Sequence, residues 1–243
     1  MTSWFKRGAE GIKESQVFDK QVQLKFEKRG VWRFTQPNNS TTKAILLDNP
    51  DFFVYEHSLY KLTGKVDTET CIREFDSCPL CNAGMEPSLV LFATVIDPRE
   101  YEDREGKKHK NQKKLIAFKG KARQAILRRM AEQGGNLKYA VIQLSRGASQ
   151  NEASTGEDIQ FLGRLKPEAI AKLCPAGTTP EEFLKPLDYQ KLLAPSPPEV
   201  LARLVGSPPP VGSDGDTIGS SFVKDMESSD NNIGDVSIDS LID

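Results

Sequence analysis

Four residues able to hold a soft metal ion fall within 25 positions of one another: His57, Cys71, Cys78 and Cys81. Their spacing is H-x13-C-x6-C-x2-C, and the last pair lies in DSCPLCNAG. A C-x-x-C turn presents two sulfurs to one ion, and Pro79 and Gly84 suit a tight knuckle around it. Zinc in structural sites takes four ligands tetrahedrally, and Cys3His is a usual set. The chain has only four Cys and two His, so gathering four of these six in one short stretch points to structural Zn2+. A redox dithiol would stand at a helix start after a strand, whereas this pair precedes a turn and a strand. His109, in a lysine run, and Cys174, in KLCPAG, are the alternatives for the fourth ligand; a buried free thiol suits Cys174 better. There is no H-E-x-x-H, and Ser58 and Leu59 after His57 break the deaminase H-x-E pattern. Four protein ligands close the coordination sphere, so the ion is expected to hold a loop together and not to catalyse. A magnesium nuclease built on Asp97, Glu100, Glu102 and Asp103 is the weaker alternative, since these acids sit in a charge run that reads as a solvated face.

A second constellation is basic and aromatic. Between positions 101 and 130 there are eleven bases against three acids. The bases expected to meet a polyanion are Arg104, Lys107, Lys108, Lys110, Lys113, Lys114, Lys119, Lys121 and Arg123. The segment GKKHKNQKK lies between two predicted strands and so forms a loop able to track phosphates, each contact contributing by counterion release. Aromatic residues interleave with these bases, and stacking contributes about 1–3 kcal/mol per base of a single strand without regard to sequence. Tyr60 and Tyr101 flank charged loops and are the preferred stacking residues, with Trp32 and Phe34 sharing one face of a predicted strand. No helix-turn-helix or Walker loop supports a duplex reader or an NTPase.

The elements that must carry these residues are mostly strands. VWRFT (31–35), KAILLD (43–48), DFFVYE (51–56), SLVLFATVID (88–97), KKLIAFKG (113–120), LKYAVIQLSR (137–146) and EDIQFLGRL (157–165) are β-branched or aromatic runs set off by turn residues. Residues 121–133 are helix formers stopped by Gly134-Gly135. The fold class expected is mainly β with some α: a small OB-like barrel, other small barrels remaining open, with an inserted zinc-binding subdomain at about 50–90. Residues 1–28 read as an arm containing a weakly periodic helix. Residues 166–206 read as short, proline-punctuated helices that pack back on the barrel. At GSPPPVGSDGD the pattern breaks, and 207–243 reads as a disordered acidic tail.

Charge divides the chain in the same place. The net charge of −1 conceals a tail from 211 to 243 at −7 and a body up to 210 at +6, which suggests a polyanion partner for the body. The tail ends in DVSIDSLID, whose Asp235, Ile238, Asp239, Leu241 and Asp243 form an apolar-acidic segment suited to a partner's groove. No stretch is long and apolar enough to span a bilayer, and MTSWFKRGAEG has no cleavage-site pattern. A cytosolic protein with reduced thiols is therefore expected.

The order His, Cys, Cys-x-x-Cys, with a basic arm before it and an acidic tail behind, resembles phage single-stranded DNA-binding proteins of the T-even helix-destabilising type. FFVYEH, CPLCNAG and ATVIDPREYEDREGKKHKNQKK carry the likeness, which covers residues 1–165 and the tail. The resemblance implies an OB-fold with a zinc subdomain liganded by His57, Cys71, Cys78 and Cys81. It implies a positive, aromatic-lined cleft, placed at Tyr101 and the lysine run, and sequence-independent binding of single-stranded DNA in phage replication, recombination and repair in the host cytoplasm. It further implies homotypic contacts along the strand through the arm at Lys6 and Arg7, and recruitment of replication or recombination proteins by the tail. The alternative is a zinc-ribbon factor that binds duplex DNA or a polymerase.

Overall fold

A computed structural model describes residues 33–206 apart from 65–66, 103–105, 107 and 150–152. The expectations placed on Lys6, Arg7, Trp32, Arg104, Lys107 and the tail residues Asp235, Ile238, Asp239, Leu241 and Asp243 lie outside the described residues.

The organising strand is β4 (Ser88–Asp97), whose last eight residues are all buried. It pairs antiparallel on both sides. β7 (Gln112–Phe118) runs along one edge from Leu91 to Asp97. The other edge is shared: β2 (Phe52–Ser58) covers it from Ser88 to Phe92, and β1 (Ser40–Leu46) takes over at Val95 and Ile96. From β1 the antiparallel ladder continues to β8 (Ala140–Arg146) and β9 (Asp158–Arg164), while β3 (Thr68–Thr70) borders β2. A strand covered on both faces has no polar side to show, which is why SLVLFATVID reads as a continuous apolar run.

The two faces are filled separately. Leu91, Ala93 and Val95 point into an inner core with Phe34, Ile116, Phe118, Ile142 and Leu144, closed by Ala122 and Ile126 of α3 (Gly120–Glu132). On the outer face Ile96 meets Ile170 of α4 (Pro167–Ala171) and Phe183 of α5 (Pro180–Leu184). Val90, Phe92 and Leu115 meet Leu193 at the end of α6 (Tyr189–Leu192), with Tyr189 and Leu192 against the same cluster. The C-terminal helices are therefore a strap over the outside of the sheet, as the proline-punctuated sequence predicts. Asp48 and Tyr189 fix it with a short hydrogen bond, and Thr94 Oγ1 lies 2.7 Å from the same hydroxyl.

The architecture is thus mainly β with helices, but the ladder does not close into the barrel that was expected. β7 and β9 each end the pairing on one side. Of the run VWRFT, expected as a full strand, the described part makes an isolated parallel bridge between Arg33 and Leu115. Phe34 N–H donates to the Leu115 carbonyl at 2.9 Å and Gln36 N–H to the Ser154 carbonyl at 2.8 Å, so residues 33–36 touch both sides of the gap. One glycine is demanded by close approach: Gly156 has φ of +79°, and a Cβ there would sit 2.4 Å from the Ser145 carbonyl oxygen.

Candidate metal centre

The β2–β3 hairpin brings the first two ligands together. His57 lies opposite Glu69 in the ladder, and Cys71 follows β3 with its N–H donating to the Tyr55 carbonyl at 2.7 Å. Cys78 is the N-cap of the single turn α2 (Pro79–Asn82), with Pro79 at the first helical position, where its missing N–H costs nothing. That turn carries Cys81 round, and Gly84, with φ of +77°, lets the chain leave into β4. Another single turn, α1 (Tyr60–Thr63), completes the region.

The four ligand atoms all lie within 4.8 Å of one another. Cys71 Sγ is 3.6 Å from Cys81 Sγ, while His57 Nε2 is 3.4 Å from Cys78 Sγ and 3.6 Å from Cys81 Sγ. A tetrahedral ion with metal–sulfur bonds of about 2.3 Å and a metal–nitrogen bond of about 2.0 Å would set its ligands roughly 3.5–3.8 Å apart. These three separations lie close to that requirement. They exclude a disulfide, which needs about 2.05 Å, and all the cysteines are free thiols. His109 and Cys174 are not part of the cluster. His109 stacks on Tyr101, and the Cys174 thiol donates to the Thr178 carbonyl at 3.1 Å.

The electrostatics explain what the cluster lacks by itself. Burial pushes the Cys71 thiol up. It pushes Cys81, crowded by the sulfurs of Cys71 and Cys78, up to about 12. Cys78 is also penalised by burial, yet the backbone N–H groups of Cys81, Ile72 and Leu80 outweigh this and hold it below its ordinary value. Three thiols at this distance cannot ionise together unless a cation sits among them. Burial lowers the His57 pKa, which favours the neutral imidazole that a metal ligand must be.

The basic residues meet different fates. Lys108 and Lys110 are exposed on or beside the small hairpin of β5 (Tyr101–Glu102) and β6 (Lys108–His109), Lys108 being 3.4 Å from Glu100. The rings of Tyr101 and His109 stack there, 4.9 Å apart and 11° from parallel. Lys121 is exposed and 3.5 Å from Glu157, and Tyr60 is 53% exposed. Lys119 is half-buried at 3.1 Å from the buried Glu56, which also binds Arg33 at 2.6 Å.

Three residues read as polyanion contacts are instead occupied by the fold. Lys114 is buried, its ammonium 2.8 Å from the equally buried Asp97, because a carboxylate in the core needs a partner. Lys113 donates to the carbonyls of Glu182 and Lys185 around the end of α5, at 2.6 and 2.8 Å. The Arg123 guanidinium donates to the Leu89 carbonyl in a short hydrogen bond. Phe34, read as a stacking ring, is 2% exposed and belongs to the inner core. Alternation placed it correctly on a face; only the wrapping of the sheet makes that face interior.

Sequence reasoning missed two pieces. The carboxylate clamps at Glu56 and Asp97 join Glu56 to Arg33 and Lys119 and Asp97 to Lys114, pairs 17 to 63 positions apart whose relation spacing does not reveal, with Arg99 adding a local partner to Asp97. It also missed Phe75, 69% exposed on the knuckle beside an apolar groove formed with Ile72 and 194–198. No helix among the described residues is long and apolar enough to cross a membrane. No family model matches the chain, and no curated protein or solved structure matches it either.

Proposed function

We propose that this chain is a sequence-independent single-stranded DNA-binding protein whose His57–Cys71–Cys78–Cys81 cluster holds structural zinc, without catalysis of its own. The observation that carries the reading is the β5–β6 hairpin. It is a two-stranded ladder of its own, with exposed Lys108 and Lys110 beside a stacked, half-buried Tyr101–His109 pair, so stacking and phosphate contacts can be made together. Lys114 Nζ lies 5.0 Å from the Tyr101 ring centroid, linking the hairpin to the core clamp beneath it. The sheet, with residues 33–36 touching both sides of its gap, is read as an incompletely laddered OB-like barrel. The likeness to T-even helix-destabilising proteins supplies the remaining proposal: action in phage replication, recombination and repair, self-association through Lys6 and Arg7, and recruitment of partner enzymes by the tail. Zinc fits the site because thiolates and a neutral imidazole at these separations suit a borderline-soft tetrahedral ion.

Binding of oligo-dT, followed by Trp and Tyr emission across a salt series with duplex as competitor, tests this reading. The expected outcome is quenching, preference for the single strand, and a log–log salt slope of about −0.7 per phosphate contacted. Equal or tighter duplex binding would favour the alternative, a zinc-ribbon factor for duplex DNA or a polymerase. The exposed Phe75 on the knuckle is the feature that speaks for that alternative. Failure to bind either form would sink the nucleic-acid reading.

A further inference from the structure

The last described helix, α7 (Pro198–Gly206), packs against α2, the turn that Cys78 opens. Leu201 is fully buried, in one cluster with Leu59, Cys71, Ile72, Cys78 and Leu80, and Leu204 and Val205 press on the same cluster. Positions 201, 204 and 205 are one face of a helix, so this face of α7 is spent on the metal module. Two of the residues beneath Leu201 are themselves metal ligands. The chain ahead of α7 is tied to the same place: Thr70 Oγ1 donates to the Leu193 carbonyl at 2.7 Å, and Ser196 N–H donates to Glu69 Oε1 at 3.0 Å. Both partners lie on β3, the strand that runs into Cys71.

Neither side of this contact is self-sufficient. A helix of nine residues is marginal alone in water. The module opposite is built from β3, α1 and α2, of three or four residues each, around four ligand groups. Elements of that size persist when an ion cross-links them, and metal binding free energy is then folding free energy. The inner core, by contrast, shares no residue with this cluster.

We propose that metal occupancy of the His57–Cys71–Cys78–Cys81 site determines whether α7 is docked, and hence where the acidic segment 207–243 is rooted. With metal bound, that segment starts from Gly206, held on the module. Without it, residues 194–206 undock and lengthen the connection between Leu193 and position 207. Thirteen further residues extend its reach by at most about 45 Å, which changes which surfaces a segment of charge −7 can meet. The coupling is reciprocal: what loosens α7 must weaken metal binding by the same factor. This inference rests on the metal reading of the site, and the experiment separates the two.

Metal content of the full chain is measured first, followed by hydrogen exchange with mass spectrometry on the zinc-loaded protein and on protein stripped with a chelator. The expected result is about one zinc per chain and a loss of protection in peptides covering 198–206 on stripping, with protection of β8 retained. Leu201→Ala, and the milder Leu204→Ala should the first fail to fold, is expected to weaken zinc affinity, read by equilibrium competition with a colorimetric chelator, by between about 5- and 150-fold. Absence of zinc binding would overturn the metal reading and the coupling together. Zinc binding with unchanged protection of 198–206 after stripping would leave the metal site standing and overturn the coupling. Loss of protection in β8 as well would overturn it too, by showing that the module does not open separately. Unchanged zinc affinity in folded variants would overturn it from the other side.

Discussion

The inner face of the sheet and the metal module are both buried, but they are completed differently. Fifteen buried side chains, all aliphatic or aromatic, make up the inner core, drawn mostly from seven-residue strands, the ten-residue β4 and the thirteen-residue α3. It is held by apolar area removed from water, and nothing has to be added to complete it. At the centre of the module are three thiols and an imidazole, and its elements are too short to form alone. Burial and the crowding of the sulfurs raise the cost of ionising them, which a cation among them would offset. One chain thus contains a part stabilised by its own sequence and a part that, on the proposed reading, a bound ion would stabilise.

The largest effect expected from that contrast is loss of the module on metal removal. Chelation, or Cys78→Ser, should bring metal content to zero and convert the region into an exchange-labile segment while the sheet survives, as a residual cooperative transition in calorimetry would show. A single transition lost as a whole would erase the distinction between the regions.

Next in size is the carboxylate that the apolar core tolerates. Asp97 is buried; burial pushes its carboxyl up, but Arg99 and Lys114 outweigh this and hold it below its ordinary value. Asp97→Ala strands the buried Lys114 ammonium and should cost about 3–5 kcal/mol in denaturant unfolding, with metal content unchanged. Glu56 behaves alike: burial raises it, and Arg33 and Lys119 bring it below its usual range. A carboxylate depressed in the folded state stabilises above its unfolded pKa and ceases to do so as pH falls through the folded value. These two contributions are therefore complete at neutral pH and are lost in acid below the ordinary values of 3.8 and 4.5. Acid titration should release metal, for which protons compete at the thiols, before it unfolds the sheet; release after unfolding would contradict this order.

Smaller effects are expected at the β5–β6 hairpin, which contributes no side chain to either apolar cluster and reaches the core clamp only through the Tyr101–Lys114 contact. Tyr101→Ala should weaken oligo-dT binding by about 1–3 kcal/mol, one stacked base, with melting temperature and metal content unchanged. Smallest is Lys110→Ala, which should flatten the salt dependence by about 0.7 in log–log slope, one phosphate contact. If either variant instead altered stability or zinc content, the hairpin would be part of one of the two regions and not a separate surface.

Much of this was legible from residue order. The four ligands were readable because Cys and His are scarce in the chain and a C-x-x-C turn is a local device needing only a few residues to aim two sulfurs. The strands and α3 were readable because alternation, apolar runs and the Gly134-Gly135 stop are likewise local. The fate of individual lysines was not. Lys110 and Lys114 stand in the same basic run, and only β7 pairing against β4 turns one to water and the other onto Asp97. Phe34 and Tyr101 were both read as rings for stacking, Tyr101 by preference, and only the wrapping of the sheet puts Phe34 in the core.

By itself, then, the sequence determined what depends on near neighbours: the ligand set, the element types, the strap of short helices and the charge divide near position 210. The tertiary structure decided what depends on contacts across tens of residues: the open ladder, the clamps at Glu56 and Asp97, and the seating of α7 on the metal module. Periodicity specifies which face of an element is apolar. It leaves open which other face will meet it, because that is settled by the packing of the whole chain at once.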